Sequence, residues 1–125
     1  MNSSDDDVLR FIAANFSSIW ALELLLALKA ERRAWTTDEL VATLRASELV
    51  VSRALDALTA AGLASVEGEA AVYLPVNHDV EECVERVEHL YRTRPNAVRR
   101  AIISASTSSA SAFANAFKLR RGRDD

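Results

Sequence analysis

The sequence is poor in the residues that interrupt helices or cross-link small folds. It has three glycines, two prolines and one cysteine among 125 residues, while half of the residues are apolar. The lone cysteine, Cys83, excludes an intrachain disulfide and favours a reducing, cytoplasmic compartment. So few helix-breaking residues, together with so much apolar surface, predict one mostly helical domain whose core needs neither disulfide nor metal.

Membrane signals are also missing. The beginning, MNSSDDDVLR, has neither the basic region nor the apolar region of a signal peptide. The longest strongly apolar run, residues 19–28, contains Glu23 and is too short to cross a bilayer. We therefore expect no membrane partner.

The chain lacks the usual signatures of catalysis and of bound cofactors. It contains no nucleophile paired with a base, no glycine-rich phosphate loop and no H-E-x-x-H metal motif. The spacing of His78, Cys83 and His89 fits no standard zinc site, and Cys83 lies on the apolar stripe of its helix. We expect no enzymatic activity, no cofactor and no metal.

Apolar spacing predicts the order of the first helices. Two helices are expected over residues 8–16 and 19–31, and the second is apolar on nearly all sides, which is typical of a buried central helix. Thr37 is expected to cap the third helix and Ser47 the fourth, over residues 48–61. The inward face of the fourth helix consists of Val51, Leu55 and Leu58.

Behind the fourth helix the pattern changes to a hairpin and then to further helices. Gly62 is expected to end the fourth helix in a left-handed conformation. Alternating residues on both sides of Gly68 predict two short strands. A charged amphipathic helix follows over residues 79–93, and Pro95 begins another helix.

The order helix, helix, helix, hairpin is that of a winged helix-turn-helix. Thr37-Asp38-Glu39-Leu40, then V-S-R-A-L-D-A-L over residues 51–58, then Gly62-Leu63, resembles the T-x-x-E-L … V-S-R-x-L-x-x-L-x-x-x-G-L pattern of MarR-like bacterial transcription regulators. The resemblance covers residues 19–75. It implies a mostly α fold with a small β-hairpin wing, and a regulator that binds double-stranded DNA.

The resemblance also implies which residues meet the DNA. The helix over residues 48–61 would enter the major groove, and the wing over residues 65–71 would touch the backbone. The implied contacts on and before that helix are Ser47, Val50, Ser52, Arg53 and Ala57. Further candidate contacts are Arg32, Arg33, Arg45 and, at the wing tip, Gly68. Arg53 is expected either to contact DNA or to pair with Asp56 three residues later.

Positive charge is scarce in this motif, which leaves other functions open. Residues 36–76 carry two arginines against six carboxylates, a balance of −4, whereas residues 95–125 have a balance of +4. DNA affinity comes largely from neutralised phosphates. One alternative is a winged-helix protein-interaction module without DNA binding, whose acidic surface faces a basic protein and whose residues 112–121 dock elsewhere. Another is a domain in which only the basic tail touches nucleic acid.

The expected organisation has four parts. Residues 1–18 form an N-terminal helix, residues 19–76 the winged helix-turn-helix domain, residues 77–103 the C-terminal helices, and residues 104–125 a serine-rich hinge with a basic tail. The C-terminal helices and the N-terminal helix are expected to build a homodimer interface. No effector pocket is evident, and a ligand between Trp20 and the long helix stays an open alternative.

Overall fold

The computed structural model describes the backbone of residues 3–105 and the side chains of residues 5–105. The described chain contains six helices and one three-stranded antiparallel sheet. The predicted fold class, mostly α with a small β-hairpin wing, is confirmed. The elements in chain order are α1 (Ser3–Asn15), α2 (Ile19–Ala30), β1 (Trp35–Thr36), α3 (Thr37–Leu44), α4 (Glu48–Ala60), β2 (Ala64–Glu67), β3 (Ala70–Tyr73), α5 (His78–Thr93) and α6 (residues 95–105).

Helix α2 is the centre of the core, as its apolar sequence predicts. Its residues Leu22, Leu24, Leu25 and Leu28 are all fully buried. Helices α3 and α4 and strand β3 pack directly against it. Because each fully buried leucine contributes about 1.5–3 kcal/mol relative to an exposed one, this helix supplies a large share of the stability. The predicted inward face of α4, namely Val51, Leu55 and Leu58, is likewise buried.

The sheet forms the wing and ties it to the helix-turn-helix. Its strand order is β1-β3-β2, with Trp35 opposite Ala71 and Ala64 opposite Tyr73. The hairpin turn is tight because Gly68 adopts a φ of 62°, a conformation that suits glycine. Strand β1 comes directly before α3, so the wing and the first helix of the motif are held side by side.

Ion pairs fasten α5 to the C-terminal end of α2. The Nζ atom of Lys29, whose side chain is only 10% exposed, lies 2.8 Å from Glu88 and 3.2 Å from Glu85. Arg32 lies 3.4 Å from Glu81. Burial acts to lower the pKa of Lys29, but the hydrogen bonds and charges of Glu88 and Glu85 outweigh it and raise that pKa above its ordinary value.

Several helix boundaries differ from their predicted positions. Helix α1 begins at Ser3 rather than at residue 8, because Asp5 and Asp6 fall in its first turn, where carboxylates interact favourably with the helix dipole. The cap of α3 is Thr36, not Thr37. The Thr36 hydroxyl accepts from the Glu39 N–H at 3.2 Å, and Glu39 Oε1 accepts from the Thr36 N–H at 2.9 Å. This reciprocal capping box requires a three-residue spacing, which Thr37 does not have.

The other predicted caps are confirmed. Ser47 Oγ accepts from the Val50 N–H at 3.1 Å, and Gly62 has a φ of 75° behind α4. Pro95 is the first residue of α6. Of the expected hinge over residues 104–111, Ser104 and Ala105 are helical, and the rest lies outside the described residues, as does the basic tail.

Within residues 3–105, no single helix is long and apolar enough to cross a membrane. Helices α1 and α2 meet the length and composition criteria only as a pair, and the pair is bent by 106° between them.

The buried position of α2 leads to a stability prediction. Leu25→Ala should lower the free energy of unfolding by about 2–5 kcal/mol, because it leaves a cavity in the core. The matched control is Leu49→Ala, since the Leu49 side chain on α4 is 59% exposed. It should change stability by less than about 0.5 kcal/mol. Urea denaturation followed by circular dichroism measures both, and equal losses would contradict the central role of α2.

The α2–α5 ion pairs lead to a second prediction. Glu88→Gln should cost about 1.5–3 kcal/mol of stability, because Lys29 loses its closest charged partner in a largely buried position. The control is Glu69→Gln, an exposed carboxylate without an ion pair to any described residue. Since the folded-state pKa of Lys29 is raised, the stability it contributes is present at neutral pH and is lost as the pH rises through that pKa. Urea titrations at neutral and strongly alkaline pH test both statements.

Candidate nucleic-acid interface

The turn between α3 and α4 has an unusual backbone conformation. Arg45 ends α3 with φ 54° and ψ 44°, the left-handed region that glycine normally occupies in a helix C-cap. For a residue with a Cβ atom this conformation costs about 1–2 kcal/mol. The Arg45 side chain is exposed and makes no ion pair or hydrogen bond with the described part of the chain. Strained residues with free polar groups cluster at functional sites, so Arg45 is a strong candidate contact.

The outward ridge of α4 carries the second free arginine. Arg53 and Ser52 are exposed, and so is Ser47 at the helix cap. The alternative pairing of Arg53 with Asp56 does not form, and Arg53 has no ion pair among residues 5–105. The guanidinium is therefore available to a ligand. Leu49 lies on the same ridge and is 59% exposed.

Two other predicted contacts lie beside Arg53 on α4, three and four residues away from it. Val50 and Ala57 are both half-buried, unlike their exposed neighbours Ser52 and Arg53. Because they are seven residues apart, they share one face of the helix. Ala57 lines a groove with the C-terminal end of α1, so this half-buried edge of the Arg53 ridge points toward α1. The predicted contacts on α4 therefore differ in exposure, with Ser52 and Arg53 exposed and Val50 and Ala57 half-buried.

Arg32 and Arg33 are engaged within the chain. Arg33 stacks on the Trp35 ring at 3.8 Å and lies 3.2 Å from Glu39. The backbone N–H of Thr36 and, after it, Arg33 stabilise the ionised Glu39 and lower the pKa of its carboxyl. Arg32 stacks on Tyr73 at 5.0 Å and pairs with Glu81. Both side chains anchor elements of the fold, so Arg45 and Arg53 are the two motif arginines left free.

An acidic cleft lies between the wing tip and the beginnings of α3 and α4. Its volume is about 380 Å³, and its lining residues are Thr36, Thr37, Asp38, Glu48, Gly68 and Glu69. None of its three carboxylates has an ion pair with any residue of the described range. Asp38 and Glu48 lie in first helical turns, where the dipole favours them. The cleft places unneutralised negative charge beside Gly68, a predicted DNA contact.

This cleft was not predicted from the sequence, although the sequence contains one relevant signal, an excess of acidic residues. The −4 balance of residues 36–76 indicated excess acid. It did not indicate that Asp38, Glu48 and Glu69, which are far apart in sequence, converge on one concave surface. Only the packing of the hairpin against the two helices brings them together.

The helices assigned to dimerisation are used largely within the chain. Val84, Val87 and Leu90 of α5 and Val98 and Ile102 of α6 are buried in the core of a single copy. Helix α1 packs on α5. The outward face of α5 is polar, and its exposed members include Glu82, Glu85, Arg86 and His89. Ile103 is the large apolar residue that α6 exposes, at 63%.

The residues considered for metal binding are spread along α5. His78 Nε2 lies 3.1 Å from Glu82, and Cys83 is half-buried with a free thiol. Among residues 3–105, no group of three His, Cys, Asp or Glu side chains has the geometry to hold a metal ion.

A second groove borders the first helix of the motif. It has a volume of about 370 Å³ and is lined by Ile19, Trp20, Glu23, Thr43, Leu44, Tyr91 and Arg99. The Tyr91 hydroxyl donates to Glu23, and the Arg99 guanidinium lies over the Tyr91 ring at 5.7 Å. Burial and the bond to Glu23 raise the pKa of Tyr91. These contacts join α2, α5 and α6 at the groove beside Trp20, where a ligand was an open alternative in the sequence analysis.

No protein-family model, curated protein or solved structure matches this chain. A functional assignment therefore depends on the fold and on the surfaces just described.

The strained turn leads to a testable prediction. Arg45→Gly should raise the free energy of unfolding by up to about 1 kcal/mol, because glycine adopts the left-handed conformation without a steric penalty. Arg45→Ala removes the same charge but keeps the Cβ atom, so it should give no gain. Paired urea titrations measure the difference. A glycine variant no more stable than the alanine variant would show that the turn is unstrained.

Proposed function

We propose that this chain is a DNA-binding transcription regulator of the winged-helix type, similar to MarR-like bacterial regulators. Helix α4 would enter the major groove and the β2–β3 wing would lie along the backbone. The observation that carries the proposal is the pair of free, exposed arginines at the motif, Arg45 in the turn and Arg53 on α4. The chain keeps Arg45 at a position where glycine would be less strained, which indicates a use for its charge.

The proposed contacts follow from exposure. Ser47 and Ser52 present hydroxyls that suit phosphate oxygens. Arg53 lies on the outward ridge of α4 and suits a guanine edge or a phosphate. A homodimer would present two α4 helices to half-sites about one helical turn apart. Light scattering on the purified chain tests this arrangement, which requires the mass of two copies.

The small number of free cations predicts a weak dependence on salt. The slope of log affinity against log salt concentration is about −0.9 per neutralised phosphate. With two free motif arginines per copy, each bound copy should give a slope of about −2, well below that of strongly basic DNA-binding proteins. Fluorescence anisotropy with a labelled duplex from upstream of the gene, over a salt series, measures this slope.

Arg53→Ala should weaken specific binding by about 1–3 kcal/mol, roughly fivefold to 150-fold, and relax the preference for one sequence. The matched control is Arg100→Ala, which removes an exposed arginine from α6. It should bind DNA like the unchanged protein. The same anisotropy assay measures both affinities. Equal affinities for the Arg53 variant and the control would refute the proposed function. The absence of any binding by the unchanged protein at low salt and micromolar concentration would also refute it.

The acidic cleft favours a second candidate, a protein-interaction module that faces a basic partner. The cleft carboxylates Asp38, Glu48 and Glu69 have no ion pair with described residues, and Leu49 offers an apolar contact nearby on α4. The combined variant Asp38→Asn/Glu48→Gln/Glu69→Gln separates the two functions. It should tighten DNA binding if DNA is the ligand, because it removes repulsion between the cleft and the phosphates. Unchanged, undetectable DNA binding by this variant would favour the protein-interaction candidate.

A further inference from the structure

A groove between the end of α1 and the flank of α4 has no function in the DNA-binding proposal. It has a volume of about 290 Å³. Its lining residues are Ala13, Ala14, Asn15, Phe16, Ser17, Ala57 and Ala105. Four of these residues are alanines, whose methyl groups lie beside the polar side chains of Asn15 and Ser17. Such a surface accommodates large apolar side chains from another segment.

The described chain ends at this groove. Ala105 is the last residue that the structure describes, and it also lines the groove. Residues 106–125 continue from that point, and their large aromatic residues are Phe113 and Phe117. Seven residues lie between Ala105 and Phe113, and the stretch from one to the other can span up to about 27 Å when extended. The segment therefore has ample length to return to the groove.

Acidic side chains lie on the exposed surface of α4, outside the groove. Asp56, the neighbour of the groove residue Ala57, is exposed and has no ion pair with residues 5–105. Glu48 is another such carboxylate, at the beginning of the same helix. The segment beyond Phe117 carries Lys118, Arg120, Arg121 and Arg123. The segment after the two phenylalanines is therefore opposite in sign to these carboxylates, while the groove lining itself carries no charged side chain.

We propose that residues 112–123 of the same chain dock on this surface. Phe113 and Phe117 occupy the groove between α1 and α4. Their spacing of four residues places both rings on one side of a helical turn. Docking requires no DNA, so it stands or falls independently of the proposed function.

Engineered disulfides in the full chain test the proposal. In a Cys83→Ser background, Ala57→Cys is combined with Phe113→Cys or with Phe117→Cys. Mild oxidation should give a disulfide within one chain, seen as a faster-running band of monomer mass. The control combines Asp79→Cys with Phe117→Cys. Asp79 is exposed at the beginning of α5, which lies near the C-terminal end of α2, whereas the groove lies near the N-terminal end of α2.

The rate of disulfide formation, rather than its occurrence, tests the proposal. Tethering alone gives two cysteines that can meet an effective concentration of about a millimolar, so even an undocked pair can form a disulfide. A rate at least about tenfold above the control is expected for one of the Ala57 pairs. Equal rates would overturn the proposal. A disulfide between two chains, seen at dimer mass, would also overturn it, because the occupant would then be a second copy.

Hydrogen exchange on the full chain gives an independent test that needs no new cysteine. Phe113→Ser/Phe117→Ser should increase amide exchange several-fold at residues 13–17 and near Ala57, because the groove loses its cover. Asn115→Ser, in the same segment, is the control and should leave exchange unchanged. Equal exchange in the double variant and the control would overturn the proposal.

Discussion

The burial of α2 is the constraint on which the rest of the structure depends. A helix that is apolar on nearly all sides must be covered on all sides, and α3, α4 and the β3 strand provide that cover. Covering α2 fixes α4 with its apolar face inward, so its outward ridge is available to a ligand. The polar end of α2 then sets the position of α5 through Lys29 and Arg32. The geometry of the candidate interface follows from this packing.

The same packing determines which charges remain available. Arg32 and Arg33 follow α2 directly, where acids of α5 and α3 lie close, and they become structural ion pairs. Arg45 and Arg53 lie beyond the reach of those acids and remain free. Meanwhile the wing tip brings Glu69 beside Asp38 and Glu48. In the proposed complex with DNA, two free motif arginines beside an acidic cleft would give selectivity through a few directed contacts and little affinity from net charge.

Local signals made much of the fold predictable. Ser47 and Gly62 act over a few residues, and the alternation around Gly68 requires no knowledge of distant parts. The errors were local as well. Two consecutive threonines offered two registers for the α3 cap, and the reciprocal bond with Glu39 selects Thr36. The early start of α1 reflects favourable carboxylates at a helix N-terminus, ahead of residue 8, where the apolar spacing had placed the beginning of the helix.

The sequence by itself determined the helical content, the order of the elements and the inward faces, because periodicity and capping are properties of neighbouring residues. It also determined the charge imbalance. Only the tertiary structure decided which arginines are free, that Ala57 faces α1, and that three distant carboxylates share a cleft. These outcomes depend on contacts between elements far apart in the chain. The composition gives the number of charged residues, and the packing determines which of them form ion pairs.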